Sequence, residues 1–319
     1  MINPTPSKTL PLALLLVALA AAPAWAGLAL VQNENSGTIS LIDTDRDEVV
    51  GEIETGGKPR GAAVDTPRKL AYVSDQPSNS LLVVDLAKRV VASRVDLGES
   101  PEGVYLSPDR KLVTAAVELT NSVAFVDTAT DKVAFRVKIK GENPEHAVFS
   151  PDGRFVYVSA EEDDKLEVID VAARALVTQI KVGDRPRGIA FTPDGAKAYV
   201  ACERANTVYV LDARAHKILR TIKAGLRSNG LIMHPDGKHL YLTNGGDGSV
   251  MVIDTATDQV TATIPVGQRP WNMALTRDGA KLYVANGRSN SVSVIDTAKN
   301  VRIKDIPVGK APWGVSMFD

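Results

Sequence analysis

A repeat of about forty-two residues runs through this chain and decides what it can fold into. One anchor is an aspartate that ends an alternating apolar run, at Asp43, Asp85, Asp127, Asp170, Asp212, Asp254 and Asp296. A second anchor is a slot occupied by Pro59, Pro101, Pro144, Pro186, Ser228, Pro270 and Pro312. Each anchor advances by 42 residues at every step, except for a single step of 43. Two independent anchors in step indicate seven tandem units.

Each unit reads as four short strands. In "RPWNMALTRDGAKLYVANGRSNSVSVIDTAKNVRIKDIPVG", the segments "NMALT", "KLYVAN", "SVSVID" and "VRIKDIPVG" are rich in branched residues, and turn residues separate them. Gly279 in the "RDG" turn can take positive φ. No helical stretch is evident beyond the N-terminal segment. The sequence therefore predicts an all-β fold, a seven-bladed β-propeller of four-stranded antiparallel blades labelled A to D from the centre outward.

The two ends of the repeat are complementary. The first unit supplies "LALVQN", "TISLID" and "EVVGEIETG", which correspond to strands B, C and D without a strand A. The chain ends on "APWGVSMFD", which corresponds to a strand A alone. We expect the C-terminal strand to join the N-terminal three in a 1+3 closure that leaves no open edge in the ring.

The tetrads "YVAN", "YLTN", "YVSD" and "YVSA" recur at the same point of the units. Over residues 27–319 the chain resembles the YVTN-type β-propeller repeat family. The resemblance implies an exported or surface protein. It also implies an accessory role beside periplasmic quinoprotein-dependent oxidation, because similar propellers accompany such dehydrogenases.

Residues 1–26 are predicted to be a cleavable signal peptide, with an early lysine, an apolar run and an A-x-A site ending at Ala26. A single propeller domain over 27–319 follows, and the expected location is the periplasm, with secretion as the alternative. No later segment is apolar enough to span a membrane. A net charge of −1 gives no global field for nucleic acid. We expect a monomer.

Loops that connect B to C and D to A share one face of a propeller, and the units differ most there. The slot after the proline holds Arg60, Glu102, Glu145, Arg187, Asn229, Trp271 and Trp313. The slot before the proline includes Arg185, Arg227 and Arg269. The second residue after the proline is glycine in every unit except at His146 and Asn272. The predicted binding residues at this channel rim are Arg60, Glu102, Glu145, His146, Arg185, Arg187, Arg227, Arg269, Trp271 and Trp313.

We expect Arg185, Arg187, Arg227 and Arg269 to form a basic sector beside Trp271 and Trp313, with Glu102, Glu145 and His146 in an acidic sector opposite. Cations beside aromatic faces suit a small anionic or planar ligand, or a periplasmic protein partner. The seven repeated aspartates are predicted to cap turns on the other face.

No nucleophile is paired with a base, and no pair of histidines is spaced as metal ligands, so the sequence predicts no catalytic residue, metal or cofactor. The favoured function is a non-catalytic binding or scaffold protein. The alternative is an enzyme or dehydrogenase subunit with a rim site around His146, Glu145 and Glu102.

Overall fold

The computed structural model describes Met1 and residues 27–319. The predicted signal peptide therefore lies, apart from Met1, outside the described residues. Three strands come first: β1 (Leu28–Asn33), β2 (Thr38–Asp43) and β3 (Glu48–Glu54). Six complete blades follow, and β28 (Pro312–Phe318) ends the chain.

Blades 1 to 6 each contain four consecutive strands. Blade 1 contains β4 (Pro59–Asp65), β5 (Leu70–Asp75), β6 (Ser80–Asp85) and β7 (Val90–Asp96). Blade 2 contains β8 (Pro101–Leu106), β9 (Leu112–Val117), β10 (Ser122–Asp127) and β11 (Lys132–Lys138). Blade 3 contains β12 (Pro144–Phe149), β13 (Phe155–Ala160), β14 (Lys165–Asp170) and β15 (Ala175–Lys181). Blade 4 contains β16 (Pro186–Phe191), β17 (Lys197–Cys202), β18 (Thr207–Asp212) and β19 (Lys217–Lys223). Blade 5 contains β20 (Ser228–Met233), β21 (His239–Asn244), β22 (Ser249–Asp254) and β23 (Gln259–Pro265). Blade 6 contains β24 (Pro270–Leu275), β25 (Lys281–Asn286), β26 (Ser291–Asp296) and β27 (Val301–Pro307).

Blade 7 closes the ring as predicted. Its sheet has the order β28-β1-β2-β3, and β28 pairs antiparallel with β1 through Leu28 opposite Phe318 and Val31 opposite Val315. All seven sheets are four-stranded and antiparallel, which confirms the predicted fold class. In the described residues helix is limited to three single turns: Thr66–Arg68, Glu118–Thr120 and Glu161–Asp163. Between Gly27 and Asp319 no helix is long and apolar enough to cross a membrane.

The core lies between neighbouring blades, where the middle strands are buried on both faces. A fully buried tyrosine occupies the same position of the second strand in blades 1 and 3 to 6, and in blades 3 and 4 its hydroxyl contacts the next blade. Tyr157 Oη donates to the carbonyl of Ala213 at 2.9 Å, and Tyr199 Oη donates to Asp258 at 2.8 Å. The repeat is thus a unit of inter-blade packing, which explains why it is conserved in register along the chain.

The inner strands contact each other around a central channel. The glycine that lies two residues after the proline slot permits this close approach of the inner strands. A Cβ at Gly61 would lie 2.6 Å from the carbonyl oxygen of Glu102 in the next blade, and one at Gly230 would lie 2.4 Å from that of Trp271. The inner strands therefore bring together the residues of the slot between the proline and this glycine.

Candidate functional site

A cavity of about 280 Å³ opens at the channel mouth, on the face formed by the B–C and D–A loops. Charged residues and two tryptophans dominate its wall. The lining residues are Glu34, Arg60, Gln76, Glu118, Glu145, Glu161, Arg185, Arg187, Asn229, Arg269, Trp271, Asn272 and Trp313. Seven of the ten predicted binding residues are among them; Glu102 and His146 are not, and Arg227 lines a neighbouring groove.

The sequence analysis missed most of the second ring of residues on this rim. The first position of the B–C loops holds Glu34, Gln76, Glu118, Glu161, Glu203, Gly245 and Gly287. These residues follow the same period as the proline slot and could have been found by comparing units at that position. Acidic or amide side chains occupy it in five blades, and glycine occupies it in blades 5 and 6. This slot supplies most of the carboxylates that face the rim arginines.

Arg187 shows how closely the two rings interlock. Its Nη1 lies 2.6 Å from a carboxylate oxygen of Glu145, its Nε lies 3.0 Å from Glu203, and it also contacts Glu161. The Arg187 side chain is only 13% exposed. A buried guanidinium needs such compensation because its desolvation is costly. The expected basic and acidic sectors are therefore not separate: Arg187 joins them.

Glu203 is the common partner of four arginines. Its carboxylate oxygens lie 2.8 Å from Arg269 and 3.2 Å from Arg185, besides the contact with Arg187, and 3.7 Å from Arg227. Burial opposes ionisation of this side chain, but Arg187 and Arg269 outweigh it and hold the pKa of Glu203 below its usual range. Glu203 is thus a fixed negative charge that organises the arginines.

Arg60 forms a second, smaller cluster across the mouth. It lies 3.0 Å from Glu34 and contacts Glu102, whose side chain is fully buried. Burial and the nearby charge of Glu145 raise the pKa of Glu102, while Arg60 opposes the rise. Glu102 does not line the cavity and instead anchors Arg60 from beneath.

His146 is covered. The residue is 1% exposed, its ring lies 6.0 Å from that of Trp313, and Nδ1 forms a 2.6 Å hydrogen bond with the Tyr105 hydroxyl. Burial lowers the pKa of His146 to about 4, which Glu145 opposes and Arg187 reinforces. His146 is therefore neutral near pH 7 and does not line the cavity. An acid–base role would need direct contact with a substrate, which this arrangement does not provide.

Trp313 and Asn272 form the floor of the cavity. Both also line a mostly apolar space of about 300 Å³ in the channel below, so they separate the polar mouth from it. Trp271 is partly exposed and lies against Gly287, where a Cβ would be 3.0 Å from the indole. The guanidinium of Arg269 lies 5.9 Å from the Trp271 ring centroid, within cation–π range.

Beside the cavity lies a groove of about 500 Å³, here called the arginine groove. Its lining comprises Arg185, Arg187, Glu203, Arg204, Asn206, Leu226, Arg227, Gly246 and Arg269. Five arginines and one carboxylate line the groove. Four carboxylates outside this lining also pair with its arginines: Glu145, Glu161, Glu162 and Asp184. Arg227 and Leu226 are well exposed, at 63% and 56%.

The groove arginines are held in an unusual backbone conformation. Arg185, Arg227 and Arg269 have φ values of 59°, 55° and 55°. This left-handed region costs an L-residue about 1–2 kcal/mol. Ser100, Asn143 and Ala311 have φ values of 59°, 54° and 52° at the same slot of three other blades, so this conformation belongs to the repeat as a whole.

The opposite face is built of capped turns. All seven repeated aspartates accept hydrogen bonds from backbone N–H groups of the C–D turn, as predicted; Asp212 accepts from Arg214 at 2.9 Å and from Ala215 at 2.8 Å. Cys202 is fully buried in the core between blades. His216 pairs with the hydroxyl of Tyr157 at 2.6 Å.

Comparison with known proteins agrees with this architecture. The family described as YNCE-like beta-propeller matches residues 107–319. None of the curated protein sequences matches the chain.

Among solved structures, hydrazine synthase of Kuenenia stuttgartiensis superposes with a TM-score of 0.77 at 23% identity, over 84% of this chain and 92% of that chain. A functionally unknown protein from Desulfotomaculum acetoxidans gives 0.80 at 16% identity, over 91% and 98%. A proposed 6-phosphogluconolactonase from Bacteroides fragilis gives 0.76 at 20% identity, over 94% and 100%. At these identities the likeness shows the propeller fold alone.

Proposed function

The chain belongs to the YNCE-like β-propeller family, and from that premise we propose that it is an exported, non-catalytic binding protein whose arginine groove takes an acidic segment of a protein partner. The signal-peptide pattern of residues 1–26 supports export to the periplasm. The observation that carries the proposal is the groove itself: five arginines line it, and Arg227 is 63% exposed, with its nearest carboxylate, Glu203, 3.7 Å away.

The groove has the composition of an interface anchor. Arginine and tryptophan are the residues that most often dominate binding energy at protein interfaces. Glu203 holds the arginine side chains in place before any partner arrives, which lowers the entropy lost on binding. Arg227 and Leu226 add a solvent-exposed charge and an apolar contact at the edge. His146 and Glu102, the core of the enzymatic alternative, lie beneath the cavity floor and carry no comparable support.

The test uses a fluorescently labelled peptide rich in aspartate and glutamate, a lysine-rich peptide of the same length and a single-stranded oligothymidylate. Arg227→Glu reverses an exposed charge whose nearest carboxylate is 3.7 Å away, so the fold should tolerate it. Arg214→Glu makes the same reversal in an exposed turn of the opposite face and is the matched control.

We expect the acidic peptide alone to bind, more weakly at high salt, and Arg227→Glu to lose about tenfold or more in affinity. Arg214→Glu should bind like the unmodified protein. Equal binding by the two variants would refute the location of the site. Tighter binding of the oligothymidylate than of the acidic peptide would refute a protein partner. Turnover of a substrate that depends on His146 would refute the non-catalytic assignment.

A further inference from the structure

A turn of blade 5, on the face opposite the rim, brings two histidines and an aspartate together. Nδ1 of His234 lies 3.0 Å from Oδ1 of Asp236, and Nδ1 of His239 lies 2.8 Å from Oδ2 of the same carboxylate. One ligand atom from each residue lies within 4.8 Å of the other two. The His234 and His239 rings are nearly perpendicular, with centroids 5.9 Å apart.

The other blades show that this cluster is a departure from the repeat. In four of them a Ser or Thr hydroxyl donates to the turn aspartate at 2.6–2.7 Å, namely Ser107 to Asp109, Ser150 to Asp152, Thr192 to Asp194 and Thr276 to Asp278. In blade 5, His234 replaces that hydroxyl. The first residue of strand B is Lys197 in blade 4 and Lys281 in blade 6, whereas blade 5 has His239. Two separate slots have thus changed to histidine around one aspartate.

The contacts of His234 leave a lone pair facing that aspartate. Nε2 lies 3.2 Å from the carbonyl oxygen of Gly279, which can only accept, so this nitrogen carries the proton. Nδ1 accepts from the backbone N–H of Asp236 at 3.2 Å and is therefore unprotonated in the neutral ring. The same nitrogen lies 3.0 Å from Oδ1 of Asp236, a contact that becomes favourable when a metal ion bridges the two atoms or when Nδ1 carries a proton. Metal-binding histidines commonly donate their other N–H to a backbone carbonyl in this way.

We propose that His234, Asp236 and His239 form a binding site for a divalent transition-metal ion of the zinc, copper or nickel type. Two imidazole nitrogens and one carboxylate oxygen suit these metals, whereas Mg²⁺ and Ca²⁺ prefer oxygen ligands alone. Three protein ligands leave positions open to water or to a ligand from another molecule. The His239 side chain is 43% exposed, so a metal ion can reach it from solvent.

The test is calorimetric titration of the tag-free protein with zinc sulfate near neutral pH. His234→Thr and His239→Lys install the residues that blades 4 and 6 carry at these slots, so both variants should fold. His216→Ala removes a histidine outside the cluster and is the control. We expect one saturable zinc site per chain in the unmodified protein and in His216→Ala. Each cluster variant should lose at least about tenfold in affinity.

A second readout uses Co²⁺, whose visible absorption reports a nitrogen and oxygen ligand set of low coordination number. That absorption should appear with the unmodified protein and disappear in both cluster variants. The proposal is overturned if the unmodified protein shows no saturable zinc binding, or if His234→Thr and His239→Lys bind zinc as tightly as it does. It is overturned equally if His216→Ala loses as much affinity as they do.

Discussion

Replacing Glu203 with glutamine should destabilise the propeller by about 3–5 kcal/mol, the cost of removing one partner from a buried ion pair. The Glu203 side chain is 3% exposed and its two oxygens serve different arginines. One oxygen faces Arg269, and the other faces Arg185 and Arg187. An amide keeps the shape of the carboxylate but turns one of these oxygens into a donor that points at another donor. The variant therefore loses the negative charge and also a set of hydrogen bonds.

Urea unfolding followed by tryptophan fluorescence measures the change, because Trp271 and Trp313 line the same cavity as the affected arginines. For the roughly 290 described residues, an unfolding entropy of about 0.6 kcal/mol/K converts the loss into a Tm decrease of about 5–8 °C. Glu162→Gln is the matched control. That side chain also pairs with Arg185, at 3.2 Å, but is 38% exposed, so its removal should cost less than about 1 kcal/mol.

A loss below about 1 kcal/mol in Glu203→Gln, or an equal loss in Glu162→Gln, would show that Glu203 does not organise the arginines as inferred.

Two further perturbations address the buried histidine and the ring closure. Burial lowers the pKa of His146 from 6.5 to about 4, so protonation of this side chain favours the unfolded chain. The contribution of the neutral His146 ring to the free energy of unfolding is therefore complete above about pH 6.5. It is lost as the pH falls towards 4. Urea titrations should show a loss of about 3 kcal/mol between pH 7 and pH 4 that is absent in His146→Gln, and identical pH profiles would contradict this. Deletion of residues 311–319 removes β28 from blade 7 and exposes the buried strand β1, so light scattering and thermal melts should reveal oligomers or an unfolded chain. A truncated monomer with the original Tm would contradict the closure role.

The fold was predictable because the repeat encodes it many times over. Each unit repeats the same alternation and the same turn aspartate, and five units repeat the same tyrosine; these residues make contacts within a blade or with the next one. The position of β28 followed from counting strands, since the N-terminal unit lacks one. Backbone positions on the rim follow from the repeat in the same way, and Arg187, Glu145 and Trp271 line one cavity at the channel mouth.

The pairing of those rim residues was not predictable, because it depends on side-chain reach across blades. Arg187 of blade 4 reaches Glu145 of blade 3, and Arg269 of blade 6 reaches Glu203 of blade 4. The repeat predicts the order of these positions around the ring. It does not predict which arginine side chain contacts which carboxylate of another blade. The burial of His146 has a similar origin: its Nδ1 would be 2.9 Å from a Cβ at Gly103, so the glycine of the neighbouring strand makes room for the ring.

Departures from the repeat cluster in adjacent blades, and this clustering bears on function. Blades 4 to 6 carry the left-handed arginines and Trp271 on the rim, and on the opposite face blade 5 carries His234 and His239. Repeated positions already provide the inter-blade packing, so a framework role would be served by keeping the common residue at each slot. Histidine where threonine caps the turn instead forgoes the hydroxyl hydrogen bond of the other blades. The arginine groove and the histidine cluster, for which we propose binding roles, thus lie on opposite faces of one sector of the ring.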